Sequence, residues 1–484
     1  MKLIGLLQGL EYIFIKGSID VNIKSIANDS RQVSEGGLFI CIDGFEVDGH
    51  KFIKNAIEMG AKAILVQKEV EVEESITIVQ VEDTRVAMAH IASVYYNQPS
   101  SNFDLVGITG TNGKTSTVFL IKSILESYGK KTGIIGTIEN RIGDVVIEAS
   151  RTTPEAIELQ GLFSKMVDAN VNAVLMEVSS HALDLHRVDQ CQFDIGLFTN
   201  LTLDHLDYHK TMENYRDAKL KLFTMCKTGI VNIDDEVGPY MIAKGTCEEF
   251  ITLGCNNNKA SLNAIKLNSK ITGTDFCAII DGQEHFFQIQ TPGKFSVYNA
   301  LSAIAVCLKL GVPVEVIKNT LKTKSQVKGR FETLMGKNGV YAIVDYAHSP
   351  DGLENVLSTL TEVATAKIIT VFGCGGNRDK SKRPQMGKIA GLHSDYVIIT
   401  SDNPRKEEPQ VIIDEIEVGV LEAKCPYEKI TDRELAIHKA LSMAKSGDIV
   451  LIAGKGHEDY QIIGDQVTHF DDAEKVTKWF NPSI

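Results

Sequence analysis

The chain has 484 residues, which at about 150 residues per domain predicts roughly three domains. Its formal net charge is −13, with 43% hydrophobic and 23% charged residues, a composition typical of a folded globular protein. An acidic surface argues against a dedicated nucleic-acid-binding protein, whose phosphate contacts need clustered lysine and arginine. It still permits a local basic pocket for an anionic ligand.

The N-terminal residues, the lengths of the apolar runs and the cysteine spacing indicate where in the cell the protein acts. The N-terminal residues do not form an export signal, because Gln8, Glu11 and Lys16 interrupt the apolar start and no small-residue cleavage site follows. No apolar run reaches the roughly 18 residues that a membrane-spanning helix needs. The nine cysteines are scattered without a Cys-x-x-Cys pair, which indicates neither a zinc site nor a disulfide framework. We therefore expect a soluble cytoplasmic protein of several domains.

The first block of predicted elements covers residues 1–102. A β-rich run at 37–42 and a helical run at 52–59 represent its alternating pattern. The polar stretch at 97–102 is typical of a linker and predicts a boundary before the next block.

The second and third blocks repeat a pattern of buried strands and helices. The second block, 103–328, has predicted strands at 103–108, 133–136, 173–176 and 195–198 and a predicted helix at 114–127. The third block, 329–484, has predicted strands at 340–344, 368–372, 396–399 and 449–452. Short apolar runs between helices favour βαβ units around a mainly parallel sheet. Ligands of such sheets bind at the carboxyl ends of the strands, so the residues that follow each apolar run are candidate binding residues.

The strongest local motif is Gly-Ile-Thr-Gly-Thr-Asn-Gly-Lys-Thr-Ser at 107–116. A buried strand leads into a glycine-rich loop, and Lys-Thr follows at a helix start, where backbone N–H groups and the positive helix end bind phosphate. In that arrangement Lys114 reaches the β- and γ-phosphates, and the Thr115 hydroxyl is a ligand of Mg²⁺. Ile108 occupies the first glycine position of the usual spacing. The alternative is a strand-to-helix turn whose glycines only relieve backbone strain.

Acidic residues and histidines follow the next two strands. Glu177 comes directly after an apolar run, so its carboxylate is placed to hold Mg²⁺ beside the phosphate loop. The alternative is a charge in the first turn of a helix, which interacts with the helix dipole. The stretch 199–209 is dense in Asp and His, which favours a metal or phosphate site, whereas a single histidine in such a stretch is more often an ordinary surface residue.

Taken together, these motifs resemble the Mur ligase family, and the resemblance covers nearly the whole chain. The matching stretches are Gly-Thr-Asn-Gly-Lys-Thr (110–115), Glu-Val-Ser-Ser-His (177–181), Asp-His-Leu-Asp-Tyr-His (204–209), Tyr-Asn-Ala (298–300), Gly-Arg-Phe-Glu (329–332), Asp-Tyr-Ala-His (345–348) and Gly-Lys-Gly-His-Glu (454–458). Ordered motifs across all three blocks are far more specific than one phosphate loop.

The resemblance implies three α/β domains. They are a UDP-substrate-binding domain at 1–102, a central P-loop ATPase-like domain with a mainly parallel sheet at 103–328, and a C-terminal Rossmann-like amino-acid-binding domain at 329–484. It also implies a monomeric cytoplasmic ligase of peptidoglycan precursor synthesis that uses ATP and Mg²⁺. The D-glutamate carboxylate of UDP-MurNAc-L-Ala-D-Glu attacks the γ-phosphate, and the amine of the incoming amino acid then attacks the acyl phosphate.

Individual residues take roles through the same resemblance. The implied ATP-binding residues are Gly110, Thr111, Asn112, Gly113, Lys114, Thr115, Ser116, Asn299, Arg330, Asp345 and His348. The implied contacts of the UDP-linked substrate are Ser30, within the uridine-diphosphate region 29–31 and 44–50, together with Thr152, Thr153, Ser179 and Arg187. The implied metal ligands are Thr115, Glu177 and His205. Lys219 matches the lysine that the family carbamylates, with Lys221 as a nearby rival, and Lys114, Lys219 and His205 are the implied catalytic residues.

The stretch after the strand at 396–399 bears on the incoming amino acid. Asp-Asn-Pro-Arg at 402–405 resembles relatives that add meso-diaminopimelate, whereas lysine-adding relatives generally lack the arginine. Diaminopimelate carries a distal carboxylate that lysine lacks, and arginine binds such a group through two parallel charge-assisted hydrogen bonds. The alternative for this stretch is a polar Asn-Pro turn. The implied amino-acid-binding residues are Arg378, Asp402, Asn403, Pro404, Arg405, Gly454 and Glu458.

Two other functions share part of the pattern. Folylpolyglutamate synthetase has the same phosphate loop and acyl-phosphate chemistry, but the uridine-type N-terminal block argues against it. A nucleotide-dependent switch or binding module is the non-enzymatic alternative, which the amino-acid pocket disfavours. A substrate panel distinguishes the first alternative, and ATP hydrolysis that requires both other substrates excludes the second.

Overall fold

The computed structural model describes residues 1–45, 47–72, 75–149 and 151–481. Within these ranges the chain forms sheets of five, eleven and six strands and a separate two-stranded hairpin, with helices packed on the sheets. The predicted α/β fold class is confirmed. No helix in the described ranges is both long and apolar enough to cross a bilayer.

The first sheet lies in the N-terminal block. Its strands are β1 (Ile13–Lys16), β2 (Ser25–Ala27), β3 (Gly37–Ile40), β4 (Ala61–Val66) and β5 (Thr77–Gln80), and its helices are α1 (Leu3–Leu6), α2 (Ile53–Glu58) and α3 (Thr84–Tyr95). Strands β2 to β5 run parallel in chain order, and β1 pairs antiparallel with β5 at the edge. Helix α3 covers one apolar face and α2 covers the other.

The polar stretch at 97–102 follows α3 and leads into the next sheet, and the domain boundary placed there stays a prediction. Pro99–Asn102 forms a short 3₁₀ helix in which Pro99 and Ser100 are buried. The Ser100 hydroxyl accepts a hydrogen bond from the backbone N–H of Gln192 at 3.2 Å. The other four residues of the stretch are exposed, so the connection is partly solvated and partly packed into the fold.

The central sheet carries the glycine-rich loop. Its strands are β6 (Asp104–Thr109), β7 (Thr132–Ile135), β8 (Asn140–Ile142), β9 (Val145–Ile147), β10 (Ala173–Glu177), β11 (Phe193–Phe198), β12 (Cys226–Asn232), β13 (Glu249–Cys255), β14 (Leu262–Lys270), β15 (Gly273–Ile280) and β16 (Gln283–Ile289). Its helices are α4 (Lys114–Ser127), α5 (Ala156–Asp168), α6 (Ser180–Asp184), α7 (Leu206–His209), α8 (Met212–Leu220), α9 (Gly238–Lys244), α10 (Lys294–Lys309) and α11 (Val314–Lys324). The strand order is β16-β15-β14-β13-β12-β11-β6-β10-β7-β8-β9.

This order places the glycine-rich loop in the middle of the sheet. The seven strands β14, β13, β12, β11, β6, β10 and β7, which are neighbours in this order, run parallel. Strands β8 and β9 at one edge and β15 and β16 at the other add antiparallel pairs. Because β10 and β11 flank β6 in parallel, the residues that follow all three strands meet at one edge. Helix α10 shares an apolar cluster with α4, which brings Asn299 beside the loop.

The third sheet belongs to the C-terminal block. Its strands are β17 (Glu332–Met335), β18 (Tyr341–Asp345), β19 (Ile368–Phe372), β20 (Tyr396–Ile399), β21 (Tyr427–Lys429) and β22 (Ile449–Ala453), and β23 (Tyr460–Ile463) and β24 (Gln466–His469) form the separate hairpin. Its helices are α12 (Pro350–Val363), α13 (Lys382–His393), α14 (Pro409–Ala423), α15 (Arg433–Met443) and α16 (Asp472–Phe480). The strand order is β17-β18-β22-β19-β20-β21, with only β17 antiparallel among the described strands.

Candidate active site

The phosphate loop lies between the end of β6 and the start of α4. Gly110 and Gly113 have positive φ angles of 144° and 85°, which residues with a Cβ rarely adopt. A Cβ at Gly110 would overlap Thr199, and one at Gly113 would overlap the amide of Asn299. Both glycines therefore allow close packing of the loop against neighbouring segments as well as its unusual backbone.

Two lysine side chains converge on this loop. The Lys114 ammonium donates to the carbonyls of Gly110 and Thr111 at 2.9 and 2.8 Å. Lys219 donates to the same Gly110 carbonyl at 2.9 Å. Burial lowers the pKa of Lys114 and holds the pKa of Lys219 well below its usual value, and the Lys114 charge lowers the latter further. Lys114 is thus not the only amine at the loop.

The predicted metal ligands Thr115 and Glu177 are in direct contact. The Thr115 hydroxyl donates to Glu177 Oε2 at 3.0 Å. Glu177 also accepts from the backbone N–H and the hydroxyl of Thr137 at 3.0 and 3.1 Å. Glu177 ends β10 and precedes α6, which begins at Ser180, so it is not in the first turn of that helix; its carboxylate instead faces the first turn of α4.

The donor set fits a magnesium ion in part. One buried carboxylate and a hydroxyl are hard oxygen ligands, and Mg²⁺ in phosphate sites commonly takes one or two carboxylates with phosphate and water oxygens. The described residues contain no group of three or more His, Cys, Asp or Glu side chains that could hold a metal on its own. A metal here would therefore depend on the oxygens of a bound nucleotide.

The third predicted ligand, His205, follows β11 at the same edge. Its backbone adopts a φ of 53°, and its N–H donates to the Asp204 carboxylate at 2.8 Å. Burial lowers the pKa of its imidazole. Lys219 is 1% exposed and lies 4.4 Å from the ring centre of Tyr215, whereas Lys221 is partly exposed and pairs with Asp184 at 3.2 Å.

A cluster of rings centred on His181 includes His205, and the sequence did not predict these ring contacts. The His181 ring lies 4.9 Å from His205, 4.3 Å from Tyr208 and 5.4 Å from His209. Burial, followed by the two neighbouring histidines, lowers the pKa of His181 to about 4. Phe45 of the N-terminal block packs edge-on against Tyr208 at 5.7 Å. The cluster therefore joins the N-terminal block to the side of the site that carries the predicted metal ligand His205.

A cavity of about 360 Å³ opens beside the phosphate loop. Seven of the eleven residues assigned to ATP line this cavity, and the other four belong to the phosphate loop and the start of α4. Those that line the cavity are Asn112, Gly113, Ser116, Asn299, Arg330, Asp345 and His348. Lining residues that the sequence patterns did not single out include Asn232, Asp234, Phe295 and Asn355. The wall thus comes from both the central and the C-terminal blocks.

Asp345 has both carboxylate oxygens occupied by the protein. Oδ1 accepts from the Ala347 N–H at 2.8 Å, and Oδ2 accepts from the Phe331 N–H at 2.6 Å. Burial raises the pKa of this carboxyl. The group therefore fixes the segment that carries Arg330, whose guanidinium lies 4.5 Å from the Tyr346 ring and donates to the Thr115 hydroxyl at 3.2 Å.

Four of the five predicted contacts of the UDP-linked substrate lie together. The Thr153 hydroxyl donates to the Glu177 carbonyl at 2.8 Å and accepts from the Ser179 N–H at 3.1 Å. Arg187 donates to the Thr153 carbonyl at 3.1 Å, and Thr152 shares a 3.0 Å hydroxyl contact with Thr137. These side chains brace the end of β10.

Ser30 stands apart from that group. It begins a 3₁₀ helix in the N-terminal block and is 6% exposed. Asp29 and Arg31 on either side pair with each other at 2.7 Å, and no hydrogen bond within the described ranges joins Ser30 to the other four residues. Glu46, within the predicted region 44–50, lies outside the described residues.

The predicted amino-acid-binding residues converge at the carboxyl end of the C-terminal sheet. Asn403 is buried, and its amide donates to Glu458 Oε2 at 2.9 Å. Gly454 abuts Asp402, since a Cβ there would lie 2.6 Å from the carboxylate. Arg405 adopts a φ of 52°, and its Nη1 donates to the Gly376 carbonyl at 3.0 Å. Residues 402–405 are therefore more than a polar turn.

A further carboxylate ties together the loops that carry the two predicted arginines. Glu407 accepts from the Asn377 backbone N–H and from the buried Arg383 at 3.0 Å. Arg378 follows Asn377, and Arg378 and Arg405 both border Gly375. The Arg405 guanidinium and the stem of the Arg378 side chain thus lie near the same glycine, and Glu407 holds the loops that carry them.

Comparison with known proteins agrees with this arrangement. The chain matches the model of the Mur ligase middle domain at residues 108–307, of the Mur ligase glutamate ligase domain at 329–456 and of the Mur ligase catalytic domain at 22–96. This chain belongs to the Mur ligase family. A relative from Caldanaerobacter subterraneus subsp. tengcongensis, named UDP-N-acetylmuramoyl-L-alanyl-D-glutamate--2,6-diaminopimelate ligase, is 47% identical over 98% of both chains.

Two further relatives carry the same name. One from Clostridioides difficile is 48% identical over 98% of both chains. A solved structure of a ligase of that name is 29% identical, has a TM-score of 0.72 and covers 97% of each chain. The Mur ligase described here therefore shares its whole length, including the N-terminal block, with these proteins.

One contact of this Mur ligase between distant parts of the chain was missed by the sequence reasoning. Asp351, in the first turn of α12, accepts from the Asn112 amide at 2.5 Å, from the Thr202 hydroxyl at 2.9 Å and from Asn355 at 3.2 Å. Asn112 belongs to the phosphate loop. The C-terminal block is thus hydrogen-bonded directly to the phosphate loop. A local sequence motif does not predict this contact, because the two residues are 239 positions apart.

Proposed function

We propose that this Mur ligase joins meso-diaminopimelate to UDP-MurNAc-L-Ala-D-Glu while ATP is converted to ADP and phosphate. The observation that carries the proposal is its full-length similarity to ligases named for diaminopimelate. The match includes the N-terminal block, for which folylpolyglutamate synthesis offers no role. The buried amino-acid site at Asn403 and Glu458 supports an enzyme over a nucleotide-dependent switch.

In the first half of the proposed reaction, a D-glutamate carboxylate oxygen attacks the γ-phosphorus of ATP, and the bond to the bridging oxygen of ADP breaks. Lys114 sits within the loop whose backbone N–H groups bind phosphate, and its charge stabilises the transferring group. Thr115 and Glu177 would hold Mg²⁺, which neutralises charge on the β- and γ-phosphates. Arg330, which contacts Thr115, adds a cation from the C-terminal block.

Lys219 is suited to carbamylation by its environment. A buried amine with a depressed pKa keeps a larger neutral fraction, and only the neutral amine attacks carbon dioxide. That addition forms the N–C bond and releases one proton. The product is an anion, which suits the positive surroundings of Lys114 better than a second ammonium does. With His205, it would form the second metal position.

In the second half, the amine of diaminopimelate attacks the carbonyl carbon of the acyl phosphate, and the carbon–oxygen bond to phosphate breaks. We assign the distal carboxylate of the amino acid to Arg405 and Arg378, whose loops meet at Gly375. Asp402, Pro404 and Gly454 shape the same site. Asn403 and Glu458, which are hydrogen-bonded to each other, would orient the amine toward the acyl phosphate.

The proposed organisation follows the three sheets. Residues 1–102 bind the UDP-linked substrate through Ser30, 103–328 bind ATP, and 329–484 bind the amino acid. The adenine would lie against Asn299 and the ribose near Asp345 and His348 in the cavity between the blocks. We propose a monomer that acts in the cytoplasm.

Mass spectrometry tests this function directly. The purified chain is incubated with UDP-MurNAc-L-Ala-D-Glu, ATP, Mg²⁺ and a mixture of amino acids, and the nucleotide-linked product is analysed. We expect a product extended by one diaminopimelate residue and ADP formation that requires all substrates. A product extended by another amino acid, or on a folate acceptor, would refute the assignment. ATP hydrolysis independent of the other substrates would indicate a switch.

A further inference from the structure

A pair of thiols lies in the central block, outside the site described above. Cys226 is the first residue of β12, and Cys247 lies in the loop between α9 and β13. Their Sγ atoms are 3.3 Å apart. All nine cysteines are free, and within the described ranges no other two of them are in contact.

Backbone hydrogen bonds hold the loop that carries Cys247 next to the start of β12, which carries Cys226. The N–H of Thr246 and the thiol of Cys247 donate to the Phe223 carbonyl at 2.9 and 3.3 Å. The N–H of Glu248 donates to the Lys227 carbonyl at 2.8 Å. The loop is therefore bonded to the β12 strand entry on both sides of Cys247. Shortening the contact to a disulfide bond of about 2.05 Å requires movement of roughly 1 Å.

The two thiols differ in access and in acidity. Cys226 is 8% exposed, whereas Cys247 is half-buried. The hydrogen bond between them lowers the pKa of Cys247 and raises the pKa of Cys226. The more accessible sulfur is thus also the better thiolate, which is the arrangement of an attacking and a resolving cysteine.

We propose that Cys226 and Cys247 form a modification site that a low-molecular-mass disulfide, such as glutathione disulfide, oxidises reversibly to an intrachain disulfide. The Cys247 thiolate attacks one sulfur of the reagent, whose S–S bond breaks and releases the first thiol. Cys226 then attacks the Cys247 sulfur, forms the intrachain bond and releases the second thiol. The protons of the two cysteines end on the released thiols, and the reagent gains the two electrons that the protein loses.

The crosslink has a consequence for stability that does not depend on the enzymatic function. It joins positions 21 residues apart and requires a shift of only about 1 Å in the folded state, so it restricts mainly the unfolded chain. For a chain of this length we expect the oxidised form to unfold about 3 °C higher than the reduced form. Reduction with a dithiol reverses the shift.

Peptide mapping of the full native chain tests the site. The protein is incubated with glutathione disulfide, remaining thiols are alkylated under denaturing conditions, and the digest is analysed by mass spectrometry. We expect a linked peptide pair that contains Cys226 and Cys247 and lacks two hydrogens. Cys277 is the matched control, since it is half-buried and has no thiol in contact among the described residues. It is expected to stop at the mixed disulfide with glutathione.

Two conservative variants separate the steps. Cys226→Ser is expected to leave Cys247 as a stable mixed disulfide, and Cys247→Ser is expected to leave the buried Cys226 unmodified. Both variants should lose the upward Tm shift on oxidation. A stable mixed disulfide on Cys247 in the unmutated chain, or linked peptides seen only after denaturation, would overturn the proposal.

Discussion

Replacing Arg405 with alanine tests the proposed choice of amino acid. The backbone at this position has a φ of 52° and is held by hydrogen bonds with Ile462 and Gly464 at 3.1 and 2.7 Å. Alanine and arginine both carry a Cβ, so the left-handed conformation costs them about the same. The substitution therefore removes the guanidinium and leaves the loop in place.

The magnitude follows from the contacts of the guanidinium. A hydrogen bond to a charged group contributes about 1.5–3 kcal/mol, so two parallel bonds to the distal carboxylate give roughly 4 kcal/mol. Nη1 already donates to the Gly376 carbonyl, and sharing or replacing that bond subtracts about 1 kcal/mol. The net of about 3 kcal/mol corresponds to roughly 150-fold discrimination against lysine, which lacks the carboxylate.

Phosphate release measures this preference as the ratio of kcat/KM for meso-diaminopimelate and L-lysine. We expect a ratio of roughly 150 in the unmutated enzyme and a loss of most of it in Arg405→Ala. Lys406→Ala is the matched control, because the neighbouring side chain is 75% exposed. Comparable kcat/KM values for the two amino acids in the unmutated enzyme, or an undiminished ratio in Arg405→Ala, would refute the reasoning.

Three other substitutions test the phosphate side. Lys114→Ala is expected to reduce ligation by at least about 100-fold with an unchanged circular dichroism spectrum, since it removes a charge at the transferring group; near-normal phosphate release by the folded variant would refute that role. Lys219→Ala is expected to lose most activity and Lys221→Ala little, because only the former is buried at the loop; an unmodified Lys219 in a crystal of the active nucleotide-bound enzyme would contradict the carbamate. Asp351→Ala is expected to raise KM for ATP and lower kcat, together about 10-fold in kcat/KM, because the lost charged hydrogen bond to Asn112 of the phosphate loop removes about 1.5 kcal/mol; kinetics equal to those of Glu354→Ala, on the same helix, would show that the contact has no role.

The sequence predicted those elements that have a strong local pattern. The helix at 114–127 and the strands at 368–372 and 396–399 agree with the structure in both bounds. The apolar runs of the two strands are buried in a parallel sheet, so no neighbouring segment is needed to recognise them. The bounds of the three proposed domains stay a prediction.

The antiparallel edges of the central sheet were missed for a related reason. In β15 buried and half-buried residues alternate along the whole strand, and β14 and β16 interleave polar residues in a similar way. Such strands are stabilised by their partners across the hairpin, so a search for continuous apolar runs does not find them.

In the candidate site, too, the sequence predicted the residues that lie in local motifs and missed those that only the tertiary fold brings there. Lys114, Thr115 and Glu177 stand at recognisable strand and helix ends, and the structure brings them together. Thr137 and Asp351 carry no motif of their own and reach the site only through the tertiary fold. Their assigned roles in the reaction stay predictions.

The nucleotide cavity has a consequence for the order in which the chain becomes functional during synthesis. The residues that line it are scattered between Asn112 and Val356 and include Arg330 and Asp345. A nascent chain that has not yet emerged past these positions has an incomplete wall. Since a ligand stabilises a folded state in proportion to its affinity for it, a nucleotide that needs the whole wall stabilises the chain fully only after the third sheet has formed. The first two sheets must therefore stay folded on the ribosome through their own apolar cores until the third arrives.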